Sequence, residues 1–145
     1  NNAGILERTA LDSLDFDAME RQFRVNSLGP LRVTAALRGR LASGSKVFIV
    51  TSRMGSIDDN TSGGSYGYRM SKAAVNMAGK SLAVDLADEG IGVFLLHPGW
   101  VATDMTGGTG IAVEDSAAGL VATMARLETD QTGTFWHQEG YELPW

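Results

Sequence analysis

Lys46-Val47-Phe48-Ile49-Val50-Thr51 contains the clearest strand signal in this 145-residue sequence. Residues 47–51 are apolar or β-branched and do not alternate with polar residues, as expected for a strand covered on both faces in a parallel sheet. A polar loop follows from Ser52 to Ser65. The pattern therefore predicts a buried strand with Ser52 directly after it, at the sheet edge where open α/β sheets bind their ligands.

The sequence around this strand alternates between helical and strand patterns. Apolar residues at mostly three- to four-residue spacing predict a long helix from about Asp15 to Leu41, and Pro30 in its middle can kink it because proline lacks a backbone donor. Strands that alternate with helices of this length pair in parallel through right-handed crossovers. A single α/β domain over residues 1–145 is predicted. Its other elements are helices over 66–88 and 113–127 and strands over 91–96 and 133–137.

Composition excludes several classes of protein. The chain has 43% hydrophobic and 20% charged residues, which is typical of a globular protein with a sizeable core. It has no cysteine, which excludes disulfides, cysteine-ligated metals and a thiol nucleophile. A net charge of −5 without a dense basic stretch argues against nucleic-acid binding. The two histidines lack paired ligands, so no metal site is predicted.

Tyr68 and Lys72 are the most informative polar pair. Four positions apart on the predicted helix 66–88, they lie on one face and one turn apart. A phenol with a pKa near 10 is a poor proton donor or acceptor at neutral pH, and a nearby ammonium lowers that pKa by stabilising phenolate. The pair could therefore act as a general acid or base. The alternative is an exposed helical pair without function.

Three further features each have a functional and a structural interpretation. Ser52 could polarise a substrate carbonyl, or it could be a turn or helix-cap serine. Pro98-Gly99, after the second predicted strand, could begin a loop over a cofactor, or it could be a simple turn. Asn26 lies within the long helix although asparagine is a poor interior helix residue. It marks either a kink with a functional amide or an exposed, tolerated position.

Five motifs follow one another along the chain, and in this order they resemble those of the short-chain dehydrogenases/reductases. Further details, His97-Pro98-Gly99-Trp100-Val101 and the closing Leu143-Pro144-Trp145, resemble the branch of C-factor-like and sniffer-like carbonyl reductases. The resemblance covers the whole chain. The five motifs are Asn1-Asn2-Ala3-Gly4, Asn26, Thr51-Ser52-Arg53-Met54-Gly55-Ser56, Tyr68-Arg69-Met70-Ser71-Lys72 and Pro98-Gly99-Trp100-Val101-Ala102-Thr103-Asp104-Met105.

The resemblance implies an NAD- or NADP-dependent hydride transfer to or from a small carbonyl or alcohol substrate. Lys72 would lower the tyrosine pKa and bind the ribose, and Asn26 would anchor a water relay. The residues that match the catalytic tetrad of the family are Asn26, Ser52, Tyr68 and Lys72. The adenosine side of the cofactor would be lined by Asn1, Asn2, Ala3 and Gly4, and the nicotinamide side by Pro98, Gly99, Val101 and Thr103, with Tyr68 and Lys72 also in contact.

The sequence departs from the family in lacking a glycine-rich dinucleotide fingerprint such as Gly-x-x-x-Gly-x-Gly. The predicted strands correspond to the last three of the family's seven. The expected fold is therefore the C-terminal part of a Rossmann-type doubly wound parallel sheet, in a three-layer αβα arrangement. Without the glycine turn and helix N-terminus that hold a pyrophosphate, NAD or NADP is expected to bind this chain weakly or not at all.

Two functions of different classes remain open. The first is an NAD(P)-dependent oxidoreductase of which this chain is the catalytic half. The second is a non-catalytic, C-signal-like signalling or interaction protein on a degenerate scaffold. Since the helix that matches residues 66–88 usually contributes to a dimer interface in the family, a homo-oligomer is expected. Neither a signal peptide nor an apolar run long enough to span a membrane is visible, so the expected location is the cytoplasm.

Overall fold

A computed structural model describes residues 1–145 and contains a three-stranded parallel sheet with helices on both faces. The strand order is β1-β2-β3, so each strand lies beside the next one along the chain. In the register of β1 with β2, Lys46 lies opposite Gly92 and Val50 opposite Leu96. The predicted α/β fold is confirmed, and each strand boundary lies within about one residue of its prediction. The strands are β1 (Lys46–Val50), β2 (Gly92–His97) and β3 (Thr134–His137).

The helices form the two outer layers. α3 packs on one face of the sheet with α1 beside it, and α4 covers the opposite face. None of them combines the length and the apolar character needed to cross a membrane. The helices are α1 (Phe16–Phe23), α2 (Gly29–Leu37), α3 (Tyr66–Leu86) and α4 (Val113–Arg126), and single 3-10 turns cover Leu11–Ser13, Arg38–Arg40, Arg53–Gly55, Ala87–Glu89, Asp104–Thr106 and Thr129–Gln131.

The central strand is β2, and its apolar side chains on both faces are buried. Val93 and Leu95 point to one side and Phe94 and Leu96 to the other, and none of the four has measurable solvent exposure. Each fully buried side chain of this size contributes about 1.5–3 kcal/mol of hydrophobic stabilisation. β1 differs from its prediction, because its buried residues alternate with half-buried ones. The reason is its position at the edge of the sheet.

The outer edge of β1 is paired near its carboxyl end by Asn1. The amino group of Asn1 donates to the carbonyl of Phe48 at 2.9 Å, and the backbone N–H of Val50 donates to the carbonyl of Asn1 at 2.8 Å. This is the hydrogen-bond pattern of a parallel neighbour. The first residues of the chain therefore lie at the same edge of the sheet as Ser52.

The predicted long helix 15–41 is one helical segment that changes its winding in the middle. Asp15 caps its start by accepting from the backbone N–H of Ala18 at 2.9 Å. Between α1 and α2, residues Arg24–Leu28 form a π-helical turn, in which the N–H of Gly29 donates to the carbonyl of Arg24. Such turns add a residue to the helical repeat and occur frequently at functional sites. Asn26 lies within this turn.

The turn Arg53–Gly55 packs on the backbone of α3, and this contact generates a prediction about Gly55. A Cβ atom at Gly55 would lie 2.7 Å from the carbonyl carbon of Lys72 and 2.8 Å from its oxygen. Because backbone has to move to relieve this overlap, Gly55→Ala is expected to lower the free energy of unfolding by about 1–3 kcal/mol in urea denaturation. Gly39→Ala is the matched control, since a Cβ there meets nothing within 4 Å. Equal stability of the two variants would contradict the assigned packing.

Candidate active site

The carboxyl ends of β1 and β2 meet at Ser52. The backbone N–H of Thr51 donates to the carbonyl of Leu96 at 2.8 Å, which continues the strand pairing to the residue before Ser52. Ser52 is 8% exposed, and its hydroxyl accepts from the backbone N–H of Met54 at 3.1 Å. The capping interpretation of Ser52 is thus confirmed.

Tyr68 and Lys72 lie in the first turns of α3 and face the end of β1. Both are buried, with 7% and 4% of their surface exposed, which excludes the interpretation as an exposed helical pair. The Nζ atom of Lys72 lies 5.7 Å from the centroid of the Tyr68 ring and donates to the carbonyl of Val50 at 3.2 Å. The structure therefore places a phenol, an ammonium and the Ser52 hydroxyl in one region.

Burial shifts the pKa values of this pair in opposite directions. It raises the pKa of Tyr68 above its ordinary value of 10.0, and the neighbouring Ser52 side chain opposes part of that rise. It lowers the pKa of Lys72 to about 8. The expected lowering of the Tyr68 pKa by Lys72 is wrong in direction, because burial raises this pKa. The reason is that the interior penalises the phenolate, while the ammonium lies near the ring and donates to Val50.

Asn26 joins two chain segments that are far apart in the sequence. Its Oδ1 accepts from the N–H of Ile5 at 2.8 Å, and its Nδ2 donates to the carbonyl of Ile5 and to Oγ of Ser71, each at 2.9 Å. Asn26 is 1% exposed, which excludes the exposed, tolerated position. The α-helical repeat is interrupted at Asn26 by the π-helical turn.

Ser71 extends this network to Tyr68. Its hydroxyl donates to the carbonyl of Tyr68 at 2.8 Å, and its own carbonyl accepts from the hydroxyl of Ser27 at 2.6 Å. One turn before Asn26, Gln22 accepts from the N–H of Glu7 at 3.0 Å. Ser71, Ser27 and Gln22 were not singled out in the sequence. The available signal was polar residues at helical spacing on faces that otherwise point to the interior.

Of the residues predicted on the adenosine side, Gly4 lies beside Asn26 and Lys72. A Cβ atom at Gly4 would lie 3.3 Å from Oδ1 of Asn26 and 3.5 Å from Nζ of Lys72. A larger side chain here would cover the ammonium. Asn1, Asn2 and Ala3 are exposed at the edge of β1.

The residues predicted on the nicotinamide side follow β2 at the same edge of the sheet. The carbonyl of Pro98 accepts from the hydroxyl of Ser116 at 2.7 Å, and Gly99 has a φ of 87°, which favours glycine. Val101 pairs with Ile111 and closes the base of the loop between them. Pro98, Gly99 and Val101 are half-buried and Thr103 is exposed. The segment is therefore a braced loop rather than an isolated turn.

The lowered pKa of Lys72 predicts a specific pH dependence of stability. Between about 8 in the folded chain and 10.5 in the unfolded chain, the unfolded state binds more protons, so the free energy of unfolding rises with pH. The cost of the buried charge is complete below that window and absent above it, with a total of about 3 kcal/mol. Urea denaturation from about pH 7 to pH 10.5 should therefore show the parent chain gaining this amount relative to Lys72→Met. Parallel curves would contradict the assignment.

Comparison with known proteins finds a matching family and two similar relatives. The family model for short chain dehydrogenases matches residues 1–126. The chain is 47% identical over 148 residues to the 1-hydroxy-2-glutathionyl-2-methyl-3-butene dehydrogenase of Rhodococcus sp. (strain AD45), covering 99% of this chain and 66% of that protein. It is also 47% identical over 149 residues to C-signal of Myxococcus xanthus, covering 100% of this chain and 90% of C-signal.

Solved structures show the same fold. The NADPH-bound carbonyl reductase from chicken fatty liver matches with a TM-score of 0.89 and 29% identity, over 99% of this chain and 64% of that one. Carbonyl reductase Sniffer of D. melanogaster matches with a TM-score of 0.90 and 32% identity, over 100% of this chain and 64% of its own. The chain thus spans somewhat less than two thirds of these carbonyl reductases. The family match over residues 1–126, the shared parallel sheet and the ordered motifs show the same relationship. The chain belongs to the short-chain dehydrogenase family.

Proposed function

We propose that this chain supplies the catalytic part of an NAD(P)-dependent oxidoreductase that reduces a small carbonyl substrate or oxidises the corresponding alcohol. The observation that carries this proposal is the buried grouping of Tyr68, Lys72 and Ser52 at the end of β1, which Ser71 connects to Asn26. A nicotinamide cofactor would supply the hydride. The family membership supports this reaction class.

Tyr68 is the proposed proton donor to the carbonyl oxygen. Burial holds its pKa above the ordinary value of 10.0, so the phenol carries a proton at neutral pH, and proton transfer would accompany the hydride transfer that makes the carbonyl oxygen basic. The Ser52 hydroxyl, which interacts with the phenol, would hydrogen-bond the same substrate oxygen and orient it. General acid catalysis of this type contributes typically about 10²–10⁴ in rate.

Lys72 is proposed to bind the ribose of the cofactor. An ammonium has three donors, and Val50 accepts from one of them. Gly4 leaves the space next to Nζ free of a side chain, so hydroxyl oxygens could approach from that side. A pKa of about 8 keeps Lys72 mainly protonated at neutral pH. These features fit the ribose and nicotinamide part of a dinucleotide.

Asn26 contributes through its position in the π-helical turn. Its side-chain amide is engaged with Ile5 and Ser71, so in this proposal the water relay would use the main-chain carbonyl of Asn26. Pro30 has no N–H, so the donor that a regular α-helix would direct to this carbonyl is missing. Asn1 to Gly4 and Pro98 to Thr103 would flank the cofactor on its two sides. The chain has no glycine-rich turn for the pyrophosphate.

Association of two copies through α1 and α3 is part of the proposal. A groove between these helices is lined mainly by apolar side chains, among them Phe16, Phe23 and Met70, which are 68%, 43% and 59% exposed. Exposed apolar patches of this kind mark interaction sites. The cytoplasmic location expected from the sequence remains a prediction of this proposal.

A second candidate function follows from the similarity to C-signal, of which this chain covers 90%. A non-catalytic signalling or interaction protein would keep the fold and would not need a bound dinucleotide. The coverage of 90% of C-signal supports this candidate, and the buried grouping of Tyr68, Lys72 and Ser52 supports the oxidoreductase.

The role of Tyr68 as the acid can be tested by substitution. In a protein that combines this chain with a dinucleotide-binding half, Tyr68→Phe is expected to reduce carbonyl turnover by about 10²–10⁴, while folding measured by circular dichroism is retained. Tyr66→Phe, at the first residue of α3, is the matched control and should keep its turnover. More than a tenth of the parent rate in Tyr68→Phe would remove Tyr68 from the mechanism.

A further prediction concerns the affinity of the 145-residue chain by itself for the dinucleotide. Because the contacts that hold a pyrophosphate are missing from it, NAD(H) and NADP(H) should bind more weakly than micromolar in calorimetric titration. A micromolar dissociation constant would show that this chain alone forms a dinucleotide site, and would count against the non-catalytic candidate.

A further inference from the structure

A second buried polar contact joins the end of β1 to α3, one turn after Lys72. The hydroxyl of Thr51 donates to Oδ1 of Asn76 at 2.7 Å and lies 3.5 Å from the carbonyl oxygen of Lys72. Thr51 is 2% exposed and Asn76 is 3% exposed. Because Asn76 follows Lys72 by four residues, the two side chains lie on the same face of α3. The contact between Thr51 and Asn76 therefore lies on the same face of α3 as Lys72.

Thr51 is held firmly in the sheet and lies between two residues of the site. Its N–H donates to the carbonyl of Leu96 at 2.8 Å. The residue before it, Val50, accepts from Nζ of Lys72 at 3.2 Å, and the residue after it is Ser52. Three consecutive residues thus hold the ammonium, brace α3 and present the serine hydroxyl. A shift of α3 along β1 would disturb all three relationships.

Packing alone does not explain an asparagine at position 76. Its Nδ2 atom is buried and has no hydrogen-bond partner, which carries a free-energy cost that an apolar side chain would avoid. Its neighbour Val75 belongs to the apolar cluster between α3 and the sheet. The Oδ1 atom that accepts from Thr51 is the part of the amide that has a partner.

We propose that Thr51 and Asn76 form a positioning pair that fixes where α3 lies along β1. The pair thereby holds Lys72 at the carbonyl of Val50 and beside Tyr68. The catalytic consequence of this pair rests on the proposed oxidoreductase function. The contact itself is a property of this chain and can be tested without any turnover.

The test uses the three lysines of the chain, Lys46, Lys72 and Lys80, as reporters of local opening. Their rates of acetylation by acetic anhydride at fixed pH are followed by mass spectrometry. Lys80 lies two turns further along α3, and its Nζ donates to the carbonyl of Gly133 at 3.0 Å. A variant that loosens the whole helix would therefore label Lys80 faster as well.

Thr51→Val removes the hydroxyl at nearly constant volume, and Thr51→Ser keeps it. We expect Thr51→Val to raise the labelling of Lys72 relative to Lys80 about fivefold, the factor that loss of a typical hydrogen bond produces. Thr51→Ser should stay near the parent rate. Thr34→Val is the matched control, because Thr34 is equally buried and donates to Pro30 within its own helix at 2.8 Å.

Asn76→Leu gives the same test from the other side of the contact, and it keeps the proposal testable if Thr51→Val does not fold. The double variant should label no faster than either single variant, because both remove one hydrogen bond. An unchanged Lys72 rate in Thr51→Val, a parallel rise of Lys72 and Lys80, or additive effects in the double variant would each overturn the pair.

An activity measurement separates this proposal from the proposed function. In a protein with measurable carbonyl reduction, Thr51→Val should lower kcat about tenfold with an unchanged KM for the carbonyl, since the hydroxyl acts through Lys72 and not on the substrate. Thr51→Ser should restore kcat. Selective labelling of Lys72 in a protein without any carbonyl reduction would support the positioning pair and reject the oxidoreductase function.

Discussion

The burial of one ammonium group is the constraint on which the rest of the site depends. Lys72 is 4% exposed, and a buried charge is costly unless polar groups replace its water. The carbonyl of Val50 accepts from it, so α3 has to lie against the end of β1. Gly55 permits the backbone of α3 to come that close, and Gly4 leaves the space beside Nζ free of a side chain. Chain segments from three parts of the sequence therefore converge on one nitrogen atom.

The π-helical turn makes this convergence compatible with a helical backbone. The direction of a side chain on a helix depends on the helical repeat. The extra residue in the turn Arg24–Leu28 changes that repeat and so changes the direction of the Asn26 side chain. From there one carboxamide reaches both Ile5 and Ser71. The first segment of the chain and α3 are thereby fixed against each other. The geometry between Gly4 and Lys72 follows from this link, and so does the access of a ribose in the proposed function.

The sequence predicts the elements of this fold well, because each depends on a local pattern. The apolar run before His97 and the helical spacing within 66–88 appear in the structure within about two residues of their predicted bounds. What it does not predict depends on contacts between distant residues. Asn26 pairs with Ile5, 21 positions away, and no periodicity reveals that pairing. The direction of the Tyr68 pKa shift depends on burial, which the spacing of Tyr68 and Lys72 does not show.

The opposite pKa shifts of Tyr68 and Lys72 also set the protonation states from which the proposed chemistry starts. At neutral pH both groups carry their protons, since burial raises the pKa of the phenol and lowers that of the ammonium only to about 8. A protonated phenol can donate to a carbonyl oxygen, but it cannot take a proton from an alcohol. Oxidation would require the phenolate, which burial of Tyr68 disfavours. In the proposed function, burial of the two groups therefore keeps in place at neutral pH the proton that carbonyl reduction requires.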